Sequence, residues 1–109
     1  MRMATSVINP RRPLLVVKRK FYDAFSVGTK AVEYRRHRRP FTRRVYFPGR
    51  EVQIGWTYHV KRDPKPLVAR VIEFSVVRAG SFAEPRELLD VYPDLHPEDE
   101  IACIALELI

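Results

Sequence analysis

The stretch Val52-Gln53-Ile54-Gly55-Trp56-Thr57-Tyr58-His59-Val60 alternates apolar and polar residues and decides the predicted fold. A period of two is typical of a β-strand with one buried face. A proline-containing turn follows at Lys61 to Pro66, and the chain then returns as the long apolar run Leu67 to Val77. The two segments predict a hairpin at the centre of a sheet. Trp56 and Tyr58 fall on the apolar face of the first strand, so both are expected in the core.

A strand, a helix and a second strand are predicted before this hairpin. Leu14-Leu15-Val16-Val17 is a short apolar run that suits a strand, and residues 1–13 before it are interpreted as an N-terminal extension. Phe21-Tyr22-Asp23-Ala24-Phe25 places aromatic residues at helical spacing, and Gly28 suits a left-handed cap at the end of that helix. From Ala31 the pattern alternates again, which predicts the second strand.

The rest of the chain predicts a long loop, a short helix and a final strand. Arg36 to Arg50 is interrupted by prolines and a glycine, which predicts a loop with a short strand at Arg44 to Phe47. Pro85 suits the first residue of a helix that ends before Pro93. The apolar run Ile101 to Ile109 predicts the last strand, at an edge of the sheet or closing a barrel.

These elements predict one α+β domain, mainly β, over residues 14–109. The chain has 109 residues and is 46% hydrophobic, which is enough to build a core without disulfide or metal staples. Five to six strands with two short helices favour a small β-barrel. A parallel α/β sheet is less consistent with the sequence because the element order does not repeat the βα unit.

The charge of the chain is strongly positive and unevenly distributed. The net charge is +7, and the segment Arg35 to Arg44 holds six arginines, one histidine and no acid. Such asymmetry is typical of a protein with a polyanionic partner, most often nucleic acid, although a solvated flexible basic loop has the same composition. Met1 to Pro13 lacks the apolar segment of a secretory signal, and no stretch is long enough to cross a membrane. A cytoplasmic protein without a membrane partner is expected.

No metal site, cofactor or disulfide is predicted. His37, His59 and His96 are far apart in sequence, and none has a second histidine or cysteine at ligand spacing. Cys103 is the only cysteine, so an intramolecular disulfide is impossible. It lies in an apolar run, where a buried and unreactive thiol is expected.

One short segment carries the charged residues that are candidates for ligand binding or catalysis. Glu33 and Arg35 fall on one face of the predicted strand with Cα atoms about 6.5–7 Å apart, while Lys30 can join them only from the preceding turn, where we predict it. Lys30 would offer an ammonium to phosphate or a carbonyl oxygen, Glu33 an acceptor for amine hydrogens, and Arg35 a two-pronged donor. The alternative is that Glu33 pairs with Lys30 or Arg35 only to hold the turn.

The segment Lys20 to Arg35 resembles the signature of the ASCH domain, a relative of the PUA fold. The signature reads Gly-x-Lys-x-x-Glu-x-Arg after a short helix, and the matching residues are Gly28, Lys30, Glu33 and Arg35. The resemblance extends over most of the chain. It implies a small PUA-like β-barrel with a cleft beside the motif, and an association with RNA or modified nucleosides.

This resemblance makes binding of single-stranded RNA or a nucleotide the first functional hypothesis. Lys30, Glu33 and Arg35 would line the ligand cleft, with Glu33→Gln expected to alter ligand choice at little cost in stability. Tyr46 and Phe47 are predicted to stack on bases, because both fall in the loop. The predicted contacts to nucleic acid are Arg36, Arg38, Arg39, Arg43, Arg44 and Tyr46.

Two other functions stay open. Some small bacterial members of the family are credited with amide hydrolysis on N4-acetylcytidine, using a lysine, a threonine and a glutamate. Lys30 matches the lysine, but Glu33 occupies the threonine position and cannot supply an alkoxide, and only Glu84 lies near the expected second carboxylate. The enzymatic alternative is therefore a Lys30–Glu33 acid–base pair acting on a modified nucleoside or RNA. The third possibility is a protein-interaction module whose basic loop meets an acidic surface.

Overall fold

A five-stranded mixed β-sheet carries two helices and a 3-10 turn in the computed structural model of the chain. The structure describes residues 12–59, 61–82 and 86–109. The strand order is β1-β3-β4-β5-β2, with β1 parallel to β3 and all other neighbours antiparallel. The fold is therefore α+β and mainly β, as predicted. The elements are β1 (Leu14–Val16), α1 (Arg19–Val27), β2 (Val32–Arg36), β3 (Glu51–Gly55), β4 (Leu67–Arg78), the 3-10 turn (Ala79–Ser81), α2 (Arg86–Val91) and β5 (Glu100–Leu108).

The helix α1 and its glycine cap match the sequence prediction. Tyr22 and Phe25 are buried on one face of the helix. Gly28 follows with φ 84°, a left-handed conformation that favours glycine, and its N–H donates to the carbonyl oxygen of Phe25 at 3.2 Å. This cap turns the chain toward β2 and so places Lys30 in the connecting turn.

The predicted hairpin is confirmed, because β3 and β4 pair antiparallel. The apolar character of β4 on both faces has a structural cause in a β-bulge, where the register shifts between Val71 and Glu73. The extra residue, Ile72, is 52% exposed, whereas Val71 before the bulge and Phe74 after it are both buried although they are three residues apart.

The strand β3 is shorter than predicted and ends at Gly55. A Cβ atom on Gly55 would lie 3.1 Å from the side chain of Leu14, so the chain passes tightly against β1 at this point before it bends away. Trp56 is only partly buried against the core, and Tyr58 is 81% exposed. The prediction of Tyr58 in the core is therefore wrong, since the alternating pattern continues through a turn. Val60 lies outside the described residues.

The last strand, β5, lies inside the sheet between β4 and β2, so its predicted edge position is wrong. Both of its faces contribute buried apolar side chains. Ala102, Ile104 and Leu106 belong to the main core, and Ile101 packs with Leu88 of α2 in a smaller cluster. The edges are β1 and β2, and within the described residues no ladder of backbone hydrogen bonds joins them. The sheet is not closed into the predicted barrel.

The loop from β2 to β3 is anchored in the core and contains no strand at the predicted residues 44–47. The N–H groups of Val45 and Tyr46 both donate to the carbonyl oxygen of Thr42, at 3.1 and 2.9 Å, which makes a helical turn instead. The rings of Phe41 and Tyr46 stack with centroids 6.0 Å apart and pack into the main core. These two rings fix the conformation of the loop.

The predicted boundaries are tested only in part. Residues 1–11 of the predicted extension lie outside the described residues, as does Pro85, the predicted first residue of the second helix. Pro13 already contacts the sheet, because its carbonyl oxygen accepts a hydrogen bond from the N–H of Gln53 at 2.8 Å.

Candidate functional site

The structure brings Lys30, Glu33 and Arg35 together at the edge strand β2. Lys30 lies in the turn before the strand, as predicted, and its Nζ is 3.5 Å from Oε1 of Glu33. Arg35 Nε donates to Oε2 of the same carboxylate at 2.6 Å. Glu33 therefore stands between two cations.

A fourth charged side chain, Glu87 in the first turn of α2, completes the cluster. Its carboxylate forms an ion pair with the ammonium of Lys30, which is 57 residues away in sequence. In the sequence nothing separates Glu87 from an ordinary solvent-facing helix carboxylate, and the candidate Glu84 lies outside the described residues. We call Glu87, Lys30, Glu33 and Arg35 the buried ionic network. Its two carboxylates balance its two cations.

Burial of this network is deep at its centre and shallow at one end. The side chain of Lys30 is 6% exposed and that of Glu33 is 7% exposed. Arg35 is 16% exposed, and Glu87, at 31%, is the member most open to solvent. An external ligand would reach the network most directly at Glu87.

The ammonium of Lys30 is enclosed by aromatic rings as well as carboxylates. Its Nζ lies 5.2 Å from the ring centroids of Phe21, Phe25 and Tyr34, distances at which cation–π attraction is effective. It also donates to the carbonyl oxygen of Val32 at 2.5 Å. Lys30 therefore links α1, β2 and α2 through a single charged group.

Arg35 joins the two edges of the open sheet. Its Nη2 donates to the carbonyl oxygen of Val16, at the end of β1, at 2.7 Å. Its guanidinium also lies 4.8 Å from the ring centroid of Phe41, which anchors the following loop. A side chain of β2 thus bridges to β1 where no backbone ladder does.

Glu33 pairs with both Lys30 and Arg35. This is the arrangement expected under the alternative interpretation of the sequence, in which Glu33 pairs with these cations only to hold the turn. Buried charges need such partners, because an unpaired charge removed from water is very costly. The side chains of the motif already contact one another and main-chain oxygens. A ligand that binds Lys30, Glu33 or Arg35 would therefore have to displace these contacts.

Tyr34 connects the network to a groove on the opposite face of the sheet. Burial raises the pKa of Tyr34, and Cys103, Glu87 and Glu33 raise it further, so the phenol is neutral at physiological pH. Its ring meets that of Phe82 edge to face, with centroids 5.2 Å apart.

This groove has a volume of about 320 Å³ and runs across β2, β5 and β4. Ser75 and Cys103, which are partners in the β4–β5 register, both line it, as does Glu73. Burial raises the pKa of the Cys103 thiol, which keeps it protonated at neutral pH. That state agrees with the prediction of an unreactive cysteine, although Cys103 is only partly buried.

The arginines of the basic segment divide into two groups, of which the first is bound within the protein. Arg36 Nη2 contacts Oδ1 of Asp94 at 2.6 Å, and its guanidinium lies over the ring of Tyr92 at 4.8 Å. Arg43 Nη2 donates to the carbonyl oxygen of Phe74 at 2.8 Å. Both were predicted to contact nucleic acid, and both are committed to internal partners.

The second group consists of Arg38, Arg39 and Arg44, which are exposed. Their side chains form no hydrogen bond or ion pair with any residue that the structure describes. Arg38 lines a polar cleft of about 330 Å³ together with the acidic residues 98–100, so part of its charge is offset locally. Arg39 and Arg44 do not line this cleft.

The prediction that Tyr46 stacks on a base assumed that its ring is exposed in the loop, and that assumption is wrong. The residue is 2% exposed, because its ring anchors the loop in the core. Burial raises the pKa of Tyr46, although Arg35 and Arg50 act in the opposite direction. The neighbouring Phe47 is 44% exposed and is the ring of this pair that solvent reaches.

A scan against protein-family models, a search of curated proteins and a search of solved structures found no match to this chain. The resemblance to the ASCH domain therefore stays a prediction from the sequence. No helix in the described ranges is both long and apolar enough to cross a membrane.

Proposed function

We propose that the protein binds single-stranded RNA through the loop between β2 and β3. The observation that carries this proposal is that the loop is anchored by the buried ring of Tyr46 and the partly buried ring of Phe41, and still presents arginines without partners among the described residues. We call the contact surface the loop face. It consists of Arg38, Arg39, Arg44 and the exposed ring of Phe47.

Fixing the loop before binding favours association, because less conformational entropy is lost when the complex forms. Guanidinium groups suit phosphate oxygens, since their planar donors bind in pairs. The exposed ring of Phe47, three residues after Arg44, offers a stacking surface for a base. The net charge of +7 adds long-range attraction for a polyanion.

The motif supports the loop face indirectly in this proposal. Arg35 lies against Phe41, and through Glu33 it is tied to Lys30, so the buried ionic network holds the start of the loop. The resemblance to an ASCH domain favours the same partner. The bridge from Arg35 to Val16 brings the sheet edges together and supports a barrel-like, PUA-related architecture.

The proposal is tested by fluorescence anisotropy with a labelled single-stranded RNA of about 12 nucleotides. The informative variant is Arg39→Ala/Arg44→Ala. A matched control is Arg12→Ala/Arg70→Ala, which removes the same charge. Both control arginines already face the single carboxylate of Glu51, at 2.9 and 3.9 Å, so each has an ionic partner within the protein.

The wild-type protein should bind with an affinity that falls steeply as salt rises from about 50 to about 200 mM. Losing two phosphate contacts should weaken binding roughly tenfold and lower the logarithmic salt slope by about 1.4. The control double variant should bind nearly as the wild type does. Equal losses in both variants would show that only net charge matters, and the loop face would then be rejected.

Hydrolysis of an acylated nucleoside is the second candidate function, and the contact between Glu87 and Lys30 favours it. Glu87 supplies the second carboxylate that could not be located from the sequence, at the end of the network that solvent reaches. Glu87 would take a proton from water as it attacks the acyl carbon, and the Lys30 ammonium would stabilise the resulting oxyanion. The proton would then pass from Glu87 to the departing amine nitrogen.

This second candidate is tested by incubating the protein with N4-acetylcytidine and measuring acetate and cytidine. Activity that falls at least about 100-fold in Glu87→Gln but not in Glu98→Gln, a change at an exposed acid, would support it. If no acetate is released by the wild-type protein, the hydrolase candidate is rejected for this substrate.

A further inference from the structure

The turn between β3 and β4 carries a second group of aromatic and cationic side chains, which the sequence pattern assigned partly to the core. Trp56 contacts two guanidinium groups, with Arg19 of α1 at 5.3 Å and Arg62 at 5.6 Å from its ring centroid. Its Nε1 donates to the carbonyl oxygen of Pro64 at 3.1 Å. The indole therefore has a fixed position and holds Arg62 at the surface.

Two further features make this surface suited to a nucleic-acid chain. Tyr58 is 81% exposed, so almost the whole ring is available for stacking. Lys61 and Arg62 are exposed and form no ion pair with any described residue, whereas their neighbour Lys65 is paired with Asp63 at 2.8 Å. Cations interleaved with accessible rings are the usual composition of a single-strand binding surface.

We propose that Tyr58, Lys61 and Arg62, held in place by Trp56, form a second contact surface for the same single-stranded RNA. We call it the hairpin face, and its assignment rests on the proposed function. Tyr58 stacks on a base, and the two cations contact the flanking phosphates.

The positions of the two faces in the sheet give the proposal a length requirement. Along the chain the loop face precedes β3 and the hairpin face follows it, so the five residues of this strand lie between them. That strand is about 17 Å long. A short oligonucleotide can engage one face at a time, whereas a longer one engages both and gains affinity from the high local concentration of its second half.

The single tryptophan of the chain provides a local reporter for this test. RNA of about 12 nucleotides is titrated while Trp56 emission is followed, and anisotropy of a labelled strand is measured in parallel. Tyr58→Ala should weaken binding of this strand by about 5-fold to 150-fold, the range expected for loss of one stacked base. Tyr58→Phe, which keeps the ring, should bind as the wild type does. Both variants should stay folded, because the side chain of Tyr58 is exposed.

Comparison with RNA of about four nucleotides tests the span between the faces. The loss caused by Arg39→Ala/Arg44→Ala and that caused by Tyr58→Ala should both be large with the long strand. With the short strand neither variant should have the full effect, because the unchanged face still binds.

The outcomes separate the two proposals. Salt-sensitive binding with unchanged Trp56 emission, and with Tyr58→Ala equal to the wild type, would overturn the hairpin face and leave the loop face in place. Trp56 quenching by the long strand with the same midpoint in Arg39→Ala/Arg44→Ala as in the wild type, and with a weakened midpoint in Tyr58→Ala, would support the hairpin face and overturn the loop face. Absence of any anisotropy change with either strand would overturn both.

Discussion

Replacing Glu33 with glutamine is expected to destabilise the fold, because it removes one charge from the centre of the buried ionic network. Glu33 faces Lys30 at 3.5 Å and Arg35 at 2.6 Å, and its side chain is 7% exposed. Removing one partner of a buried pair costs about 3–5 kcal/mol, since the other charge is left uncompensated. Lys30 retains Glu87, and the amide oxygen can still accept from Arg35, so we expect about 3 kcal/mol.

That loss is a large part of the stability that a domain of this size possesses, roughly 5–15 kcal/mol. It reverses the expectation from the sequence that Glu33→Gln costs little stability. The reason is burial, which the spacing of the motif does not reveal.

The free energy of unfolding is measured with urea, following Trp56 fluorescence and far-ultraviolet circular dichroism together. The matched control is Glu51→Gln, since Glu51 also pairs with an arginine but both side chains are open, at 40% for Glu51 and 49% for Arg12. Exposed pairs contribute about 0–1 kcal/mol, so the control should change little.

Losses for Glu33→Gln and Glu51→Gln that are equal and below about 1 kcal/mol would refute the reasoning. A second check is the double variant Glu33→Gln/Arg35→Met. Its loss should be smaller than the sum of the two single losses, because residues that share one ionic contact are coupled.

Three further predictions concern stability. Burial raises the pKa of Tyr46 above 10.0, so above that pH the unfolded chain releases a proton that the folded protein retains, and stability falls until the pH passes the folded pKa. Tyr46→Phe should reduce this loss, measured as the difference between urea midpoints at neutral and at strongly alkaline pH. An identical fall in the variant and the wild type would contradict the prediction. Gly28→Ala should cost about 1–2 kcal/mol by chemical denaturation, because φ there is 84°, and an unchanged midpoint would contradict the cap. Ile104→Ala should cost about 2–5 kcal/mol in the same assay, since Ile104 is 0% exposed, and a loss below that range would mean that β5 is not central to the core.

The local elements were predicted well from the sequence, because each produces a side-chain periodicity or requires a backbone conformation that is visible within a few residues. The helix α1 with its cap at Gly28 was found this way, as were the β3–β4 hairpin and the long strand β4. The side-chain period of two also placed Glu33 and Arg35 on one face, and it required Lys30 to lie in the turn.

Two tyrosines show where local pattern fails. The sequence places Tyr46 at the surface and Tyr58 in the core, and the structure reverses both, with exposures of 2% and 81%. A ring in a loop can anchor that loop, and an alternating pattern can run on through a bend. Neither event changes the local pattern, so burial could not be predicted from it.

The partners of the site depended on tertiary structure alone. Glu87 meets Lys30 from 57 residues away, and Arg35 meets Val16 because the two edges of the sheet approach each other. The order β1-β3-β4-β5-β2 makes β1 and β2 the two edges that Arg35 connects, and it also puts β5 inside the sheet. The sequence by itself determined which residues carry charge and on which face of a strand they stand. Which of those charges are buried and paired was decided only by the packing of distant segments, because periodicity reports on neighbours along the chain and burial depends on neighbours in space.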